Sequence, residues 1–185
     1  NKSKLVLIYN GVNLNRKPDF EKVKLIKEKF NNNFLIGTTS RLAGFKKIDR
    51  LIYAFKTFMK KSPNAILVIV GDGPEADRLK LIAGGYLNDS IYFLGYKSDP
   101  INYQCAFDLC VFPSKSEPFG LVAVESYSVN SIVLVFEDGG GLKEIVSLCN
   151  PEDICDSEKD LVEKLNYYYK NGTANINKDF LYEFF

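Results

Sequence analysis

Four charged side chains carry most of the chemistry this sequence could do: Arg41, Lys46, Glu117 and Glu125. Arg41 and Lys46 lie in Ser40-Arg41-Leu42-Ala43-Gly44-Phe45-Lys46-Lys47, between a β-branched run and a helical pattern. A planar guanidinium fork beside a point-charge ammonium suits a diphosphate. The plainer alternative is a solvated loop cation and a lysine that starts a helix. Glu117 sits in the tight loop Glu117-Pro118-Phe119-Gly120, and Glu125 follows inside the apolar stretch GLVAVESY. Ionised carboxylates only accept hydrogen bonds, so they match the diol of a ribose or the hydroxyls of a sugar. The alternative for each is a carboxylate stabilised by the helix dipole, or a structural ion pair.

What is missing narrows the chemistry. The chain has no histidine, which removes Ser-His-Asp and Cys-His nucleophile systems, imidazole bases and His metal sites. Its four cysteines, Cys105, Cys110, Cys149 and Cys155, form no C-x-x-C pair and read as mostly buried thiols. Gly71-Asp72-Gly73-Pro74 lacks the third glycine of a dinucleotide fingerprint, and no Walker lysine motif occurs. No Asp-x-Asp triplet is present, so a carboxylate-bound Mg²⁺ or Mn²⁺ is not expected.

A formal net charge of +1 over 185 residues argues against nucleic acid as a partner. No apolar run nears the 18 residues of a membrane span, and no signal peptide is visible. The chain begins at Asn1 without an initiator Met, as after processing or excision from a longer protein. It uses 20 Lys but only four Arg (Arg16, Arg41, Arg50, Arg78), which makes each arginine's position informative.

The elements that must position these groups follow from periodicity. Short apolar runs at 34–39, 65–70, 90–94, 108–112 and 132–136 read as strands, the run Ala65-Ile66-Leu67-Val68-Ile69-Val70 being continuous as in a buried parallel strand. Helical spacing is expected over 47–61, from Pro74 to about 83, and over 99–105, 120–129, 142–148 and 157–170. Before these come a strand-like run at 5–9 and a basic helical stretch at 20–30 closed by Asn31-Asn32-Asn33; that stretch reads as a solvated face. An aromatic, helical tail covers 178–185. Repeated strand–helix alternation gives an α/β fold, a doubly wound parallel sheet. In such sheets ligands bind beyond the carboxyl ends of the strands. Every loop there carries glycines, cations or carboxylates: 40–47, 71–74, 95–97, 113–120 and 137–141. Glycine turns entering helices offer backbone N–H groups to anions such as phosphate.

In order and spacing these segments resemble the C-terminal, nucleotide-sugar-binding domain of retaining GT-B glycosyltransferases, the group 1 or family 4-like class. The resemblance covers 34–145. Arg41 to Lys46 and the helix after it look like that family's Arg-x4-Lys signature, and Val70-Gly71-Asp72-Gly73-Pro74 its G-x-G-P turn. Glu117 to Glu125 looks like its Glu-x7-Glu motif, and Gly139-Gly140-Gly141-Leu142-Lys143-Glu144-Ile145-Val146 its closing glycine loop. Tyr9-Asn10-Gly11-Val12 is similar to its interdomain segment. Lys47 and Lys143 depart from the glycine and proline common there.

The resemblance implies a Rossmann-like domain over 34–185, a single C-terminal lobe, preceded by an interdomain segment and helix over 1–33. Arg41 and Lys46 would hold the donor diphosphate and stabilise its charge as it leaves. Glu117 would meet the donor sugar, so Glu117, Arg41 and Lys46 form the implied catalytic set. Backbone amides of Phe119, Gly120 and Leu121 would lie near sugar and phosphates, Glu125 would hold the ribose diol, and Tyr96 and Lys97 would flank the base. The donor would be a UDP-sugar or GDP-sugar, with no further cofactor and no metal. Transfer of a hexosyl unit to a glycan or lipid-linked acceptor would proceed with retention, the leaving phosphate helping to deprotonate the acceptor. An N-terminal acceptor-binding lobe would be the main partner, and without it the chain would bind donor but transfer poorly or not at all. The full-length protein would be cytoplasmic, with a peripheral contact at the inner face of the membrane. Two readings stand beside this one: a non-catalytic nucleotide-sugar-binding module, and a sugar-nucleotide epimerase of similar architecture.

Overall fold

The computed structural model describes residues 11–13 and 16–173. The expected strand at 5–9 and aromatic tail at 178–185 lie outside them. Among the described residues six strands form one fully parallel sheet: β1 (Phe34–Thr39), β2 (Ala65–Val70), β3 (Ile91–Phe93), β4 (Leu109–Phe112), β5 (Ile132–Phe136) and β6 (Ile154–Cys155). The order is β3-β2-β1-β4-β5-β6, the doubly wound, Rossmann-like arrangement. Only the two-residue edge strand β6 went unseen in the sequence, being too short to show a period.

The sheet's two faces sort by residue parity, because successive strand side chains point to opposite sides. Ile36, Leu67, Ile69, Leu109, Val111 and Leu134 pack under the helices α2 (Ile48–Phe58), α3 (Ala76–Ala83) and α7 (Glu158–Asn171). Leu35, Ile66, Val68, Cys110, Phe112 and Val133 face the other layer. That layer holds α1 (Phe20–Lys29), α4 (Pro100–Ala106), α5 (Leu121–Ser128) and α6 (Gly141–Cys149). The amphipathic stripe of α2 explains its burial: Ile48, Leu51, Ile52, Phe55 and Phe58 are all at most 2% exposed. α1 packs on α4, and the Asp19 amide donates to Asn102 Oδ1 at 2.8 Å. Its lysines Lys22, Lys24 and Lys29 are exposed, as a solvated helix face is, and Lys22 meets Asp99 and Lys27 meets Asp108. Among the described residues no helix is long and apolar enough to cross a membrane.

None of the four cysteines is in a disulfide: Cys110 and Cys155 are fully buried, Cys105 and Cys149 half-buried. Burial pushes the Cys110 and Cys155 thiols up to about 12 and Cys149 up to about 11. At pH 8 the thiolate fraction at about pKa 12 is on the order of one in ten thousand. Native protein at pH 8 should therefore leave Cys110 and Cys155 untouched by an aromatic disulfide reagent, while all four thiols react in guanidinium. Rapid native reaction at Cys110 would show that β4 opens readily.

Candidate functional site

The strand order reverses between β1 and β4, and a crevice opens there at the carboxyl edge. Backbone hydrogen bonds tie the five loops above this edge into one rim. Gly71 N–H donates to Gly95 C=O at 2.9 Å, joining the loops after β2 and β3. Leu42 N–H donates to Asp72 C=O at 2.9 Å, joining those after β1 and β2. Lys115 N–H reaches Phe45 C=O at 2.8 Å, and Ser116 N–H reaches Asp138 C=O at 2.8 Å, which brings in the loops after β4 and β5. The rim expected from glycines and charges alone is thus one connected structure.

Two glycines permit this closeness. Gly71 has φ +131°, and a Cβ there would lie 1.8 Å from the Ser40 carbonyl oxygen. Gly140 has φ +63°, and its Cβ would stand 2.6 Å from the Glu117 carbonyl oxygen. Other residues would be strained in conformation and in contact.

A cavity of about 540 Å³ lies within the rim, lined by Arg41, Tyr96, Lys97, Glu125, Ser40, Asp72 and Val122 among others. Arg41 arrives from the β1 loop, Tyr96 and Lys97 from the β3 loop, and Glu125 from the second turn of α5. Neither Arg41, Lys97 nor Glu125 makes a side-chain hydrogen bond or ion pair to another described residue. Ser40 Oγ is buried without a hydrogen-bond partner. The wall therefore holds two cations, a carboxylate and a hydroxyl whose bonding capacity is unused. Tyr96 is 76% exposed at the mouth.

Lys46 and Glu117 do not line that cavity. They pair with each other, Lys46 Nζ to Glu117 Oε2 at 2.5 Å, with side chains only 14% and 15% exposed. This contact spans 71 residues of sequence and was not foreseen. The only local hint was that both residues lie in loops of the same rim. Lys46 ends the short 3₁₀ turn Gly44–Lys46, stacked toward the Phe45 ring. Glu117 is held by its backbone: its N–H donates to Gly139 C=O at 3.2 Å and its C=O accepts from Gly141 N–H at 2.7 Å. Phe119 is 60% exposed, and Gly120 is the N-cap of α5, with no side chain capping the helix that begins at Leu121. The first turn of α5 thus points open N–H groups past Leu121 toward the rim. Ser40, Asp72 and Val122 were missed as cavity walls, since nothing in a lone serine or valine marks it locally. Among the described residues no cluster of three or more acidic or thiol side chains stands together as a metal site.

Comparison with known proteins places this geometry. The family model described as "Glycosyl transferases group 1" matches residues 19–180. The capsular polysaccharide biosynthesis glycosyltransferase CapM of Staphylococcus aureus is 30% identical over 142 residues, covering 69% of this chain and 36% of that protein. The crystal structure of Anabaena Alr3699/HepE in complex with UDP-glucose superposes with a TM-score of 0.76 at 27% identity, covering 89% of this chain and 47% of that one. The C-terminal domain of a glycosyl transferase group 1 family protein (LpcC) from Francisella tularensis shares the fold, with a TM-score of 0.71 at 23% identity; 87% of this chain covers 89% of that domain. The chain spans between 24% and 46% of the length of curated glycosyltransferases aligned with it.

Proposed function

Since the chain belongs to the glycosyl transferases group 1 family and has the architecture of one GT-B lobe, we propose that it is the donor-binding domain of a retaining, metal-independent hexosyltransferase. The observation that carries this is the cavity at the strand-order reversal. Its unpartnered groups match a nucleoside diphosphate in kind and number. Arg41 supplies a fork for phosphate oxygens, and Glu125 accepts from a ribose diol. Lys97 and Tyr96 flank the base, Tyr96 offering a flat exposed ring. The open N–H groups at Phe119, Gly120 and Leu121 receive phosphate and sugar oxygens at a positive helix end.

In this reading Lys46 and Glu117 stand just beyond the diphosphate, where the sugar is carried. Lys46 and Arg41 stabilise the charge that develops on the departing diphosphate, which a lobe without histidine does with cations and amides. Glu117 accepts hydrogen bonds from sugar hydroxyls and orients the ring. The departing phosphate oxygen takes the acceptor's proton, so no side-chain base is needed from this lobe. The acceptor, a glycan or lipid-linked sugar, is held by a second lobe at the inner face of the cell membrane in the cytoplasm. Residues 34–185 form the donor-binding unit, and 1–33 lead into it from that lobe.

Calorimetric titration tests the reading. UDP or GDP should bind at micromolar to low-millimolar Kd, and Arg41→Ala should weaken binding by roughly tenfold, the loss of one charge-assisted contact. Absence of binding by both nucleotides at millimolar concentration would sink the donor-site assignment. So would unchanged affinity in Arg41→Ala.

A further inference from the structure

We propose that Arg50 is a positioning residue for the Lys46–Glu117 pair, setting the place of both partners at once. It is one of only four arginines beside 20 lysines. Its backbone lies one turn past Lys46, its N–H donating to Lys47 C=O at 3.0 Å. Its side chain crosses to the loop after β5: Nη1 meets Asp138 Oδ1 at 2.8 Å and Nε meets Glu158 Oε1 at 2.8 Å. The guanidinium lies over the Phe136 ring, 3.6 Å from its centroid, and is 20% exposed. Phe136 ends β5 and Glu158 begins α7, so the fork is fixed on three sides by separate elements.

What Arg50 grips is the segment that holds Glu117. The Asp138 carbonyl accepts from Ser116 N–H at 2.8 Å, and the next carbonyl, Gly139, accepts from Glu117 N–H at 3.2 Å. Asp138 is thus fixed by its side chain on Arg50 while its backbone fixes the residue before Glu117. The chain of contacts runs from the Lys46 turn through Arg50 and Asp138 to Glu117, and closes through the Lys46–Glu117 ion pair. A lysine at 50 could not replace this. It has one point-charge head, and cannot bond two carboxylates from a planar fork while stacking on Phe136.

Two measurements decide the proposal, on Arg50→Lys and Arg50→Met beside wild type. The first is amide hydrogen exchange of Ser116, Glu117 and Gly141, followed by NMR. Both variants should exchange about tenfold faster at these three amides, with Leu67 and Val68 in β2 unchanged. Unchanged rates at the three amides, or uniform acceleration through the sheet, would overturn the proposal; the second result would mean that Arg50 only supports global stability. If Arg50→Met does not fold, Arg50→Lys together with the separate variant Glu158→Ala, which removes one arm of the fork, carries the same comparison. The second measurement rests on the donor-site reading. UDP affinity should fall severalfold, because Lys46 is one of the cations assigned to the diphosphate, and affinity for UDP-glucose or GDP-mannose should fall further still, because Glu117 is displaced with it. Equal weakening of nucleotide and nucleotide sugar would count against positioning. Should wild type bind neither nucleotide nor nucleotide sugar, the donor-site reading fails, and the exchange rates still decide the role of Arg50.

Discussion

Replacing Lys46 with alanine is expected to weaken nucleoside diphosphate binding by about 10- to 100-fold, whereas Glu117→Gln should leave it unchanged or strengthen it by up to about tenfold. The opposite signs follow from the ion pair. In the free chain the Lys46 ammonium is already taken by Glu117 at 2.5 Å, with both side chains largely screened from water. A diphosphate must share or displace that carboxylate to reach it. Removing the carboxylate charge releases the ammonium and takes away a negative charge that repels the ligand. Removing the ammonium does the reverse and leaves a poorly solvated carboxylate beside an anion, where breaking a buried pair from one side already costs about 3–5 kcal/mol. Calorimetry with UDP and GDP reads both effects, and a melting curve shows whether Lys46→Ala is still folded at the titration temperature. A loss of affinity in Glu117→Gln equal to that in Lys46→Ala would mean that the pair acts only as structure. In the hexosyltransferase proposed above, Glu117→Gln should lose turnover despite binding nucleotide well, because on that reading its carboxylate accepts from the sugar.

The second large effect is on stability. Gly71→Ala should lower stability by about 3–5 kcal/mol, combining a non-glycine residue forced to positive φ with overpacking. For a domain of this size that is a fall in melting temperature of about 10 °C or more. The added Cβ would sit 1.8 Å from a backbone carbonyl, which has no rotamer with which to yield. Either β2 parts from β1 at its end, or the Ser40-Arg41 segment moves outward. The latter carries Arg41 out of the cavity, so nucleotide affinity should fall together with stability. Gly44→Ala is the control, since that glycine lies on the same rim and a Cβ there meets nothing within 4 Å. It should melt within about 2 °C of wild type. Similar melting of the two variants would mean that the loops after β1 and β2 separate easily, and that the rim is not the fixed frame described above.

Much of the fold was legible because its cause is local. The strand 65–70 and the helix around Leu51, Ile52 and Phe55 were readable, since apolar periodicity records which side of an element meets the core. Boundaries shifted by a residue or two: the helix expected from Pro74 begins at Ala76, because Pro74 and Glu75 form the turn ahead of it. Of the candidate site residues, Arg41, Tyr96, Lys97 and Glu125 were brought to one cavity. Phe119, Gly120 and Leu121 fall at the start of α5 as the loop pattern suggested. The readings weighed for Lys46, a diphosphate contact or a helix start, and for Glu117, a ligand contact, a dipole-stabilised carboxylate or an ion pair, left open whether the two touch one another.

The sequence by itself determined the layers and the edge. Alternation of buried strands with amphipathic helices allows few packings, and glycine turns at successive strand ends mark where backbone can approach a ligand. What only the tertiary structure decided is which charges meet. Lys46 and Glu117 lie on the loops after β1 and β4, strands far apart in sequence that become neighbours only because the chain reverses its winding direction at that point. Arg50 reaches Asp138 and Glu158 for the same reason, across 88 and 108 residues. Helix and strand periods are set by residues within a turn or two of one another. Coulombic partners are set by distance in space, and that distance does not exist until the sheet has formed.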